Sequence, residues 1–202
     1  NSANPYTLTD DDRTVIGNTT PKFSGGFGLN ATFKGFDVSA FFNFMYDFDV
    51  FNANKVMMTT WASNNYNNFS MDISAAKRWR NFDDMGNEIR YSPEILAEFN
   101  KNATMWNPTS IGRPIAMSYA VEDGSFLRLN TATIGYTLPR AWTNKVGLSR
   151  VRFYASGYNL FTITGYSGYD PEVDIATGLT PNIDNNRYPR SRTYTFGVQL
   201  TF

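Results

Sequence analysis

Apolar and polar side chains alternate without interruption over the last segment of the chain, residues 193–202. Successive side chains of a β-strand point to opposite sides, so this segment would have one apolar face and one small, polar face. Its length matches the roughly 9–11 residues of a tilted strand that crosses a membrane. The residues on the apolar face, which we predict to contact lipid, are Tyr194, Phe196, Val198, Leu200 and Phe202.

Two earlier alternating segments, 23–34 and 36–48, predict a β-hairpin whose turn is Lys34-Gly35. Glycine at the second turn position supplies the positive φ that such a turn needs. Phe33 and Phe36 would then be cross-strand partners, and the two apolar faces would merge into one. Phe41 and Met45 interrupt the polar side of the second segment. Its predicted apolar face consists of Phe36, Val38, Ala40, Phe42, Phe44, Tyr46 and Phe48.

Two weaker patterns, at residues 126–138 and 150–162, bring the predicted total to about five strands. In the first, Leu127 and Leu129 are out of phase with the apolar positions from Ala132 onward, which a β-bulge would explain. In the second, alternation is regular from Val151 but blurs over residues 157–160.

The connections between these strands are alternately short and long. Residues 34–35 and 139–149 are short links, whereas 49–117 and 163–190 are long. Transmembrane barrels have short periplasmic turns and long extracellular loops, so the long loops and the short links would lie on opposite sides. Ser92-Pro93-Glu94 would open a helix that runs to about Met105, and residues 70–79 could hold another. The sequence therefore predicts an all-β fold: the C-terminal strands of a large antiparallel transmembrane β-barrel with long, partly helical extracellular loops.

Composition removes several kinds of chemistry. The chain has no Cys and no His, and its 18 basic residues balance its 18 acidic ones. This excludes thiol and disulfide chemistry and gives no reason to expect a nucleic-acid partner. Asp170, Glu172 and Asp174 have the spacing of a calcium loop, but Ile175 stands where that loop needs glycine, so a turn at Asp170-Pro171 is the better interpretation. We expect no enzyme activity, no cofactor and no metal.

Aromatic residues in the first long loop are candidates for substrate contact. They could stack on sugar rings or grip a peptide, but loop aromatics more often anchor the loop's own small core. Arg78 and Arg80 could bind an anionic substrate or could pair with Asp83 or Asp84. The predicted substrate contacts are Trp61, Tyr66, Trp79, Arg80 and Trp106.

Several short motifs, taken together and in order, resemble the late-barrel region of SusC/RagA-type TonB-dependent outer-membrane transporters. The similarity runs over nearly the whole chain from Asp12. The motifs are residues 12–18 (DRTVIGN), 21–23 (PKF), 34–38 (KGFDV), 121–129 (VEDGSFLRL), 135–139 (GYTLP), 159–162 (NLFT), 168–172 (GYDPE), 188–190 (YPR) and 195–197 (TFG).

This resemblance implies a plugged barrel in the outer membrane of a Gram-negative, Bacteroidetes-like bacterium. Such a barrel is energised by TonB, works with a SusD-like surface lipoprotein, and imports an oligosaccharide or oligopeptide. The plug and the earlier strands would lie outside this chain. No signal peptide opens the chain, so we do not expect Asn1 to be the first residue made. By the same resemblance, the terminal strand ending at Phe202 would be an assembly signal.

A soluble all-β module for carbohydrate binding or adhesion is the alternative. A β-sandwich buries its apolar faces against each other, whereas a membrane barrel turns them toward lipid. Whether the apolar faces of the strands are covered by a second layer therefore separates the two hypotheses.

Overall fold

The computed structural model describes residues 13–60, 68–74, 76–109, 116–173 and 181–202. The chain divides into two compact units. The sheet unit comprises residues 1–50, 122–183 and 187–202, and the loop unit comprises residues 51–121 and 184–186. In the part of the chain that the structure describes, no helix has the length and apolar character needed to cross a membrane.

Eight strands and three α-helices form the regular structure of the described residues. The strands are β1 (Phe23–Phe33), β2 (Phe36–Tyr46), β3 (Asp49–Asn52), β4 (Val121–Asp123), β5 (Phe126–Thr137), β6 (Arg150–Thr164), β7 (Ile183–Asp184) and β8 (Thr193–Thr201). The helices are α1 (Ala53–Thr59), α2 (Pro93–Asn100) and α3 (Arg140–Thr143), with 3₁₀ turns at Met71–Ile73, Ser118–Ala120 and Asn144–Val146.

The sheet unit is built on one antiparallel sheet with the order β1-β2-β5-β6-β8. These are the five strands that the alternating segments predict. The hairpin turn between β1 and β2 is also confirmed, because Phe33 pairs with Phe36 and both turn residues have positive φ, 47° at Lys34 and 89° at Gly35. A Cβ at Gly35 would lie 2.9 Å from the carbonyl oxygen of Thr137, so glycine is required there by space as well as by φ.

A β-bulge at Asn130 explains the broken phase of β5. The register of β5 with β2 passes from Phe41–Thr131 to Phe42–Leu129, which leaves Asn130 as the extra residue. The bulge brings Leu127 and Leu129 onto the apolar face, as predicted. The facing part of β6 is irregular as well, with φ at Asn159 equal to 51°.

Phe48 departs from the prediction, because it does not continue the apolar face of β2. The strand ends at Tyr46, and Asp47 adopts a φ of 60°, which turns the chain. Phe48 is 2% exposed and packs edge-on against Phe126, with ring centroids 6.4 Å apart. It belongs to a small core at this end of the sheet unit, which also contains Val50, Tyr166 and Val173, with Met45 packed against it.

The helical segments of the loop unit are shorter than predicted. Helix α2 starts at Pro93 but ends at Asn100 rather than near Met105. Met105 instead bridges to Arg78, and its carbonyl oxygen accepts a hydrogen bond of 2.7 Å from the Trp79 backbone. The predicted helix within 70–79 is only a 3₁₀ turn, Met71–Ile73, which begins where the Ser70 hydroxyl accepts from the Asp72 backbone.

Candidate functional site

One face of the five-stranded sheet is apolar across its whole width. Ring pairs tie neighbouring strands together on this face, with centroids 5.0 Å apart for Phe27–Phe42 and 4.5 Å apart for Phe36–Tyr136. A single row of register partners crosses all five strands as Phe33, Phe36, Tyr136, Phe153 and Val198.

This apolar face is open in the structure of the sheet unit. The apolar residues of the terminal strand, together with Phe202 after it, are 49–88% exposed, from Leu200 at the low end to Phe202 at the high end. Exposure this high shows that no described residue of the sheet unit forms a layer over them. A contiguous apolar surface of this size normally has an apolar partner, which is either protein or lipid.

The opposite face of the sheet is polar and carries an ion pair that spans three strands. Arg152 on β6 reaches across β5 to Asp37 on β2; its Nε donates to one carboxylate oxygen at 2.9 Å and its Nη2 to the other. A Cβ at Gly135 on β5 would overlap the guanidinium of Arg152. Gly197 on β8 leaves the same kind of space for the ring of Tyr154. Glycine at these positions therefore lets large polar side chains lie flat on the sheet.

A cluster of four charged residues lies on this face at the end of the strands from which the two long loops leave. Arg128 of β5 is buried, and its Nη2 lies 2.5 Å from Asp170 Oδ1 while its Nε lies 3.5 Å from Glu172 Oε2. Arg190 approaches from the end of the second long loop and contacts Glu172 Oε1 at 2.7 Å. The cluster ties the loop after β6 to the interior of the sheet unit, because both carboxylates belong to that loop.

The turn predicted at Asp170-Pro171 is confirmed. Asp170 Oδ1 accepts a hydrogen bond of 2.9 Å from the backbone of Glu172 two residues on, the pattern of an Asx turn. Burial alone would raise the pKa of Asp170, but the hydrogen bond from Arg128, with those from the backbone of Glu172 and Arg190, brings this pKa below its ordinary value. The first two carboxylates of the calcium-like spacing thus bind arginines, and Asp174 lies outside the described residues.

A pocket of about 310 Å³ opens on the loop unit. Trp79 and Phe82 present exposed rings to it, 39% and 49% accessible. Asp83 holds the adjoining turn: the pKa of its carboxylate is lowered by hydrogen bonds from the side chain and backbone of Asn87 and from the backbone of Met85. The full lining is Arg78, Trp79, Arg80, Asn81, Phe82, Asp83, Asn107, Pro108 and Thr109.

The described substrate-contact candidates have different surroundings. Arg80 pairs with Asp84 at 2.5 Å, one of the two pairings that the sequence left open, and its guanidinium lies over the Phe99 ring. The Trp106 indole donates to the Thr59 carbonyl at 3.0 Å and packs edge-on against a tyrosine ring. Both thus help to hold the loop unit together.

Trp79 is the described candidate whose ring is exposed on the pocket. Trp61 and Tyr66 lie outside the described residues. The substrate role of all five candidates stays a prediction.

The sequence did not single out Arg128 or the Asp37–Arg152 pair. The available signal was the single arginine of β5, at residue 128, and the arginine at residue 152 among the apolar and small residues that follow it in β6. A charged side chain in such a strand needs a buried partner, and carboxylates follow in the family-like motif 168–172.

An exposed apolar sheet face of membrane-crossing strand length, backed by a polar face, is typical of outer-membrane β-proteins, and the comparisons with known proteins agree. No family model matches the sequence. A TonB-dependent receptor of Formosa agariphila is 32% identical over 197 residues, which is 95% of this chain and 17% of the receptor. Over nearly its whole length the chain is therefore similar to TonB-dependent receptors, and it is an outer-membrane protein, as expected from the sequence.

Within that class the relationship extends to the SusC/RagA type. The TonB-dependent receptor SusC of Bacteroides thetaiotaomicron is 32% identical over 164 residues, covering 74% of this chain and 15% of SusC. The solved structure of the RagAB peptide transporter superposes on 97% of this chain and 19% of its own with a TM-score of 0.73 and 26% identity. The resemblance to the SusC/RagA family is confirmed, and the chain spans about a sixth of the length of these relatives.

Proposed function

We propose that this chain supplies the C-terminal wall of an outer-membrane β-barrel that imports an oligosaccharide or oligopeptide nutrient. The observation that carries the proposal is the five-stranded sheet with one continuous, exposed apolar face, in a chain related to TonB-dependent receptors. In this proposal the apolar face contacts lipid, and the polar face with the Asp37–Arg152 pair is turned to the barrel interior.

The two edges of the sheet support this arrangement. Strands β1 and β8 each have only one partner in this sheet. Unpaired backbone groups cost several kcal/mol each in hydrocarbon, so both edges must pair with other strands in a membrane. A barrel of about 22 strands supplies those partners and encloses a plug. The rival hypothesis, a soluble β-sandwich module, needs a second layer over the apolar face, and the sheet unit has none among its described residues.

The topology follows from the connections. In the proposed barrel, the loops 49–117 and 163–190 are extracellular, whereas the Lys34-Gly35 turn and the 139–149 link are periplasmic. The pocket beside Trp79 then lies on the extracellular side, where arriving substrate first meets the protein. Its exposed rings and polar lining suit either a sugar ring or a peptide side chain.

Energy and the surface partner complete the proposal. The relatives are named TonB-dependent, and the RagAB structure is described as a peptide importer. We propose TonB as the energy source, acting through parts of the protein outside this chain, and a SusD-like lipoprotein as the lid. The substrate would be an oligopeptide or an oligosaccharide, and the protein would bind it without catalysing a reaction.

Uptake by the source organism tests the proposal. Cells with and without the complete transporter gene would be given labelled oligopeptides and labelled oligosaccharides, each with and without a protonophore. We expect the deletion to abolish accumulation of one substrate class, and the protonophore to reproduce that loss in the parent. Unchanged uptake of both classes, or recovery of the protein outside the outer-membrane fraction, would contradict the proposal.

A further inference from the structure

The turn end of the sheet unit, defined as the Lys34-Gly35 turn together with the 139–149 link, is positively charged. Lys34, Arg140 and Lys145 are all exposed there, and Arg150 follows at the start of β6. From Leu138 through Arg150 the sequence contains no Asp or Glu. Among the described side chains near this end, the one carboxylate is that of Asp37, which Arg152 already binds.

Carboxylates gather at the opposite end of the strands. Within the described residues of the sheet unit, those other than Asp37 are Asp47, Asp49, Glu122, Asp123, Asp170 and Glu172. Strand β1 has 11 residues, so its ten Cα-to-Cα steps of about 3.3 Å give a length of roughly 33 Å. A tilt of about 40° reduces this to roughly 25 Å, the height of the apolar band of a membrane barrel. The basic end therefore lies at one border of that band.

Apolar and aromatic side chains accompany the basic residues. The Lys34 ammonium lies 5.2 Å from the centre of the Phe33 ring, on the apolar side of the sheet. Trp142 and Val146 of the 139–149 link are 61% and 70% exposed. Tryptophan is enriched where a membrane meets water. A groove of about 460 Å³, lined in part by Phe36, runs along the apolar face beside this end.

We propose that the turn end binds the headgroups of anionic phospholipids in the periplasmic leaflet. The inference rests on the proposed function, which places this end at the periplasmic border of the membrane. Lys34, Arg140 and Lys145 attract the phosphate groups, while Trp142 enters the interface and the groove receives an acyl chain. Charge complementarity selects the occupant, because a basic surface whose one described side-chain carboxylate is already paired, bordered by an apolar band, fits an anionic amphiphile.

Lipid binding by the complete transporter tests this proposal. Purified protein in neutral detergent would be titrated with phosphatidylglycerol or with phosphatidylcholine, and bound lipids counted by native mass spectrometry. The test variant is K34Q/R140Q/K145Q. Arg150 is left intact because its guanidinium is directed toward Thr137, at 3.5 Å. The control is K77Q/R90Q/K101Q, which removes three exposed cations from the loop unit.

We expect the parent and the control to prefer phosphatidylglycerol, and the test variant to bind it at least about tenfold more weakly, since each cation near an anionic surface contributes about fivefold. Added salt should weaken binding to the parent, which keeps the proposal testable if the variant fails to fold. Equal binding of the two lipids by the parent, equal loss in the control, or tighter binding of polyglutamate than of phosphatidylglycerol would overturn it. Outer-membrane fractionation and uptake are measured on the same strains. If both are normal while lipid binding shows no preference, the lipid-binding proposal fails and the transporter proposal stands.

Discussion

Replacing Arg128 by methionine should open the loop that follows β6. The substitution keeps the length of the side chain but removes its charge, and it leaves Asp170 and Glu172, with side chains only 10% and 12% exposed, facing an uncharged neighbour. Removing one partner of a buried ion pair typically costs about 3–5 kcal/mol, because the remaining charge stays desolvated. Arg190 still contacts Glu172, so we expect the lower part of this range.

The pH dependence of this loss has a definite sign. The folded-state pKa of Asp170 lies below its ordinary value, so the ionised carboxylate contributes stability that is present above the unfolded-state pKa, near 4. That contribution is lost as pH falls through the folded-state pKa. Without Arg128 the burial of Asp170 prevails and its pKa rises. The difference in stability between parent and variant should therefore shrink as pH falls below the ordinary carboxyl range.

Hydrogen exchange of the backbone amides of residues 166–173 in the complete transporter measures the local opening free energy. Arg150→Met, an exposed arginine on the neighbouring strand, is the matched control and should leave this protection within about 0.5 kcal/mol of the parent. Adding Asp170→Asn to Arg128→Met should recover part of the loss, since it removes an unpaired charge. Equal protection in the parent and the Arg128→Met variant would refute the inference that Arg128 holds this loop closed.

The remaining predictions concern the sheet and its orientation. Val198→Arg should destabilise the barrel by about 2–4 kcal/mol and so lower the folded, heat-modifiable fraction in the outer membrane, whereas Gln199→Arg should mostly spare that fraction. The reverse order would mean that the apolar face is not against lipid. Gly35→Ala should destabilise the barrel by about 1–3 kcal/mol in a denaturant titration, because alanine disfavours positive φ and its Cβ would crowd the Thr137 carbonyl oxygen. Lys34→Ala, at the other residue of the same turn, is the control. An impermeant thiol reagent on whole cells should label Met85→Cys and Tyr188→Cys but not Lys145→Cys, and labelling confined to Lys145→Cys would invert the topology.

The sequence predicted the sheet well because each strand carries its pattern locally. Alternation located all five strands, and the break of phase after Leu129 was enough to predict a bulge in β5, which the structure places at Asn130. Phe48 was misplaced because the turn that buries it depends on the φ of Asp47, which no hydrophobic pattern encodes. Residue type thus predicted the faces, whereas backbone conformation decided where a strand stopped.

The candidate site was less predictable because its contacts are distant in sequence. Arg128 contacts Asp170, which is 42 residues further along the sequence, and Trp106 donates a hydrogen bond to Thr59, which is 47 residues earlier. A single sequence gives no information on such pairings. It could place tryptophans and arginines in the long loop, but not separate Trp79, whose ring is exposed, from Trp106, whose indole anchors the loop unit.

The glycine at position 135 has a consequence for how the strands are assembled in register. A slip of β5 by one residue would turn its apolar side chains to the polar face, and the hydrophobic pattern penalises that error. A slip by two residues keeps every side chain on its proper face, so the hydrophobic pattern does not detect it. Such a slip would, however, place Thr133 or Thr137 beneath the guanidinium of Arg152, which would have to shift from its path across Gly135 to Asp37. The salt bridge across β5 therefore favours the correct register of all three strands over a two-residue slip that the hydrophobic pattern alone would tolerate.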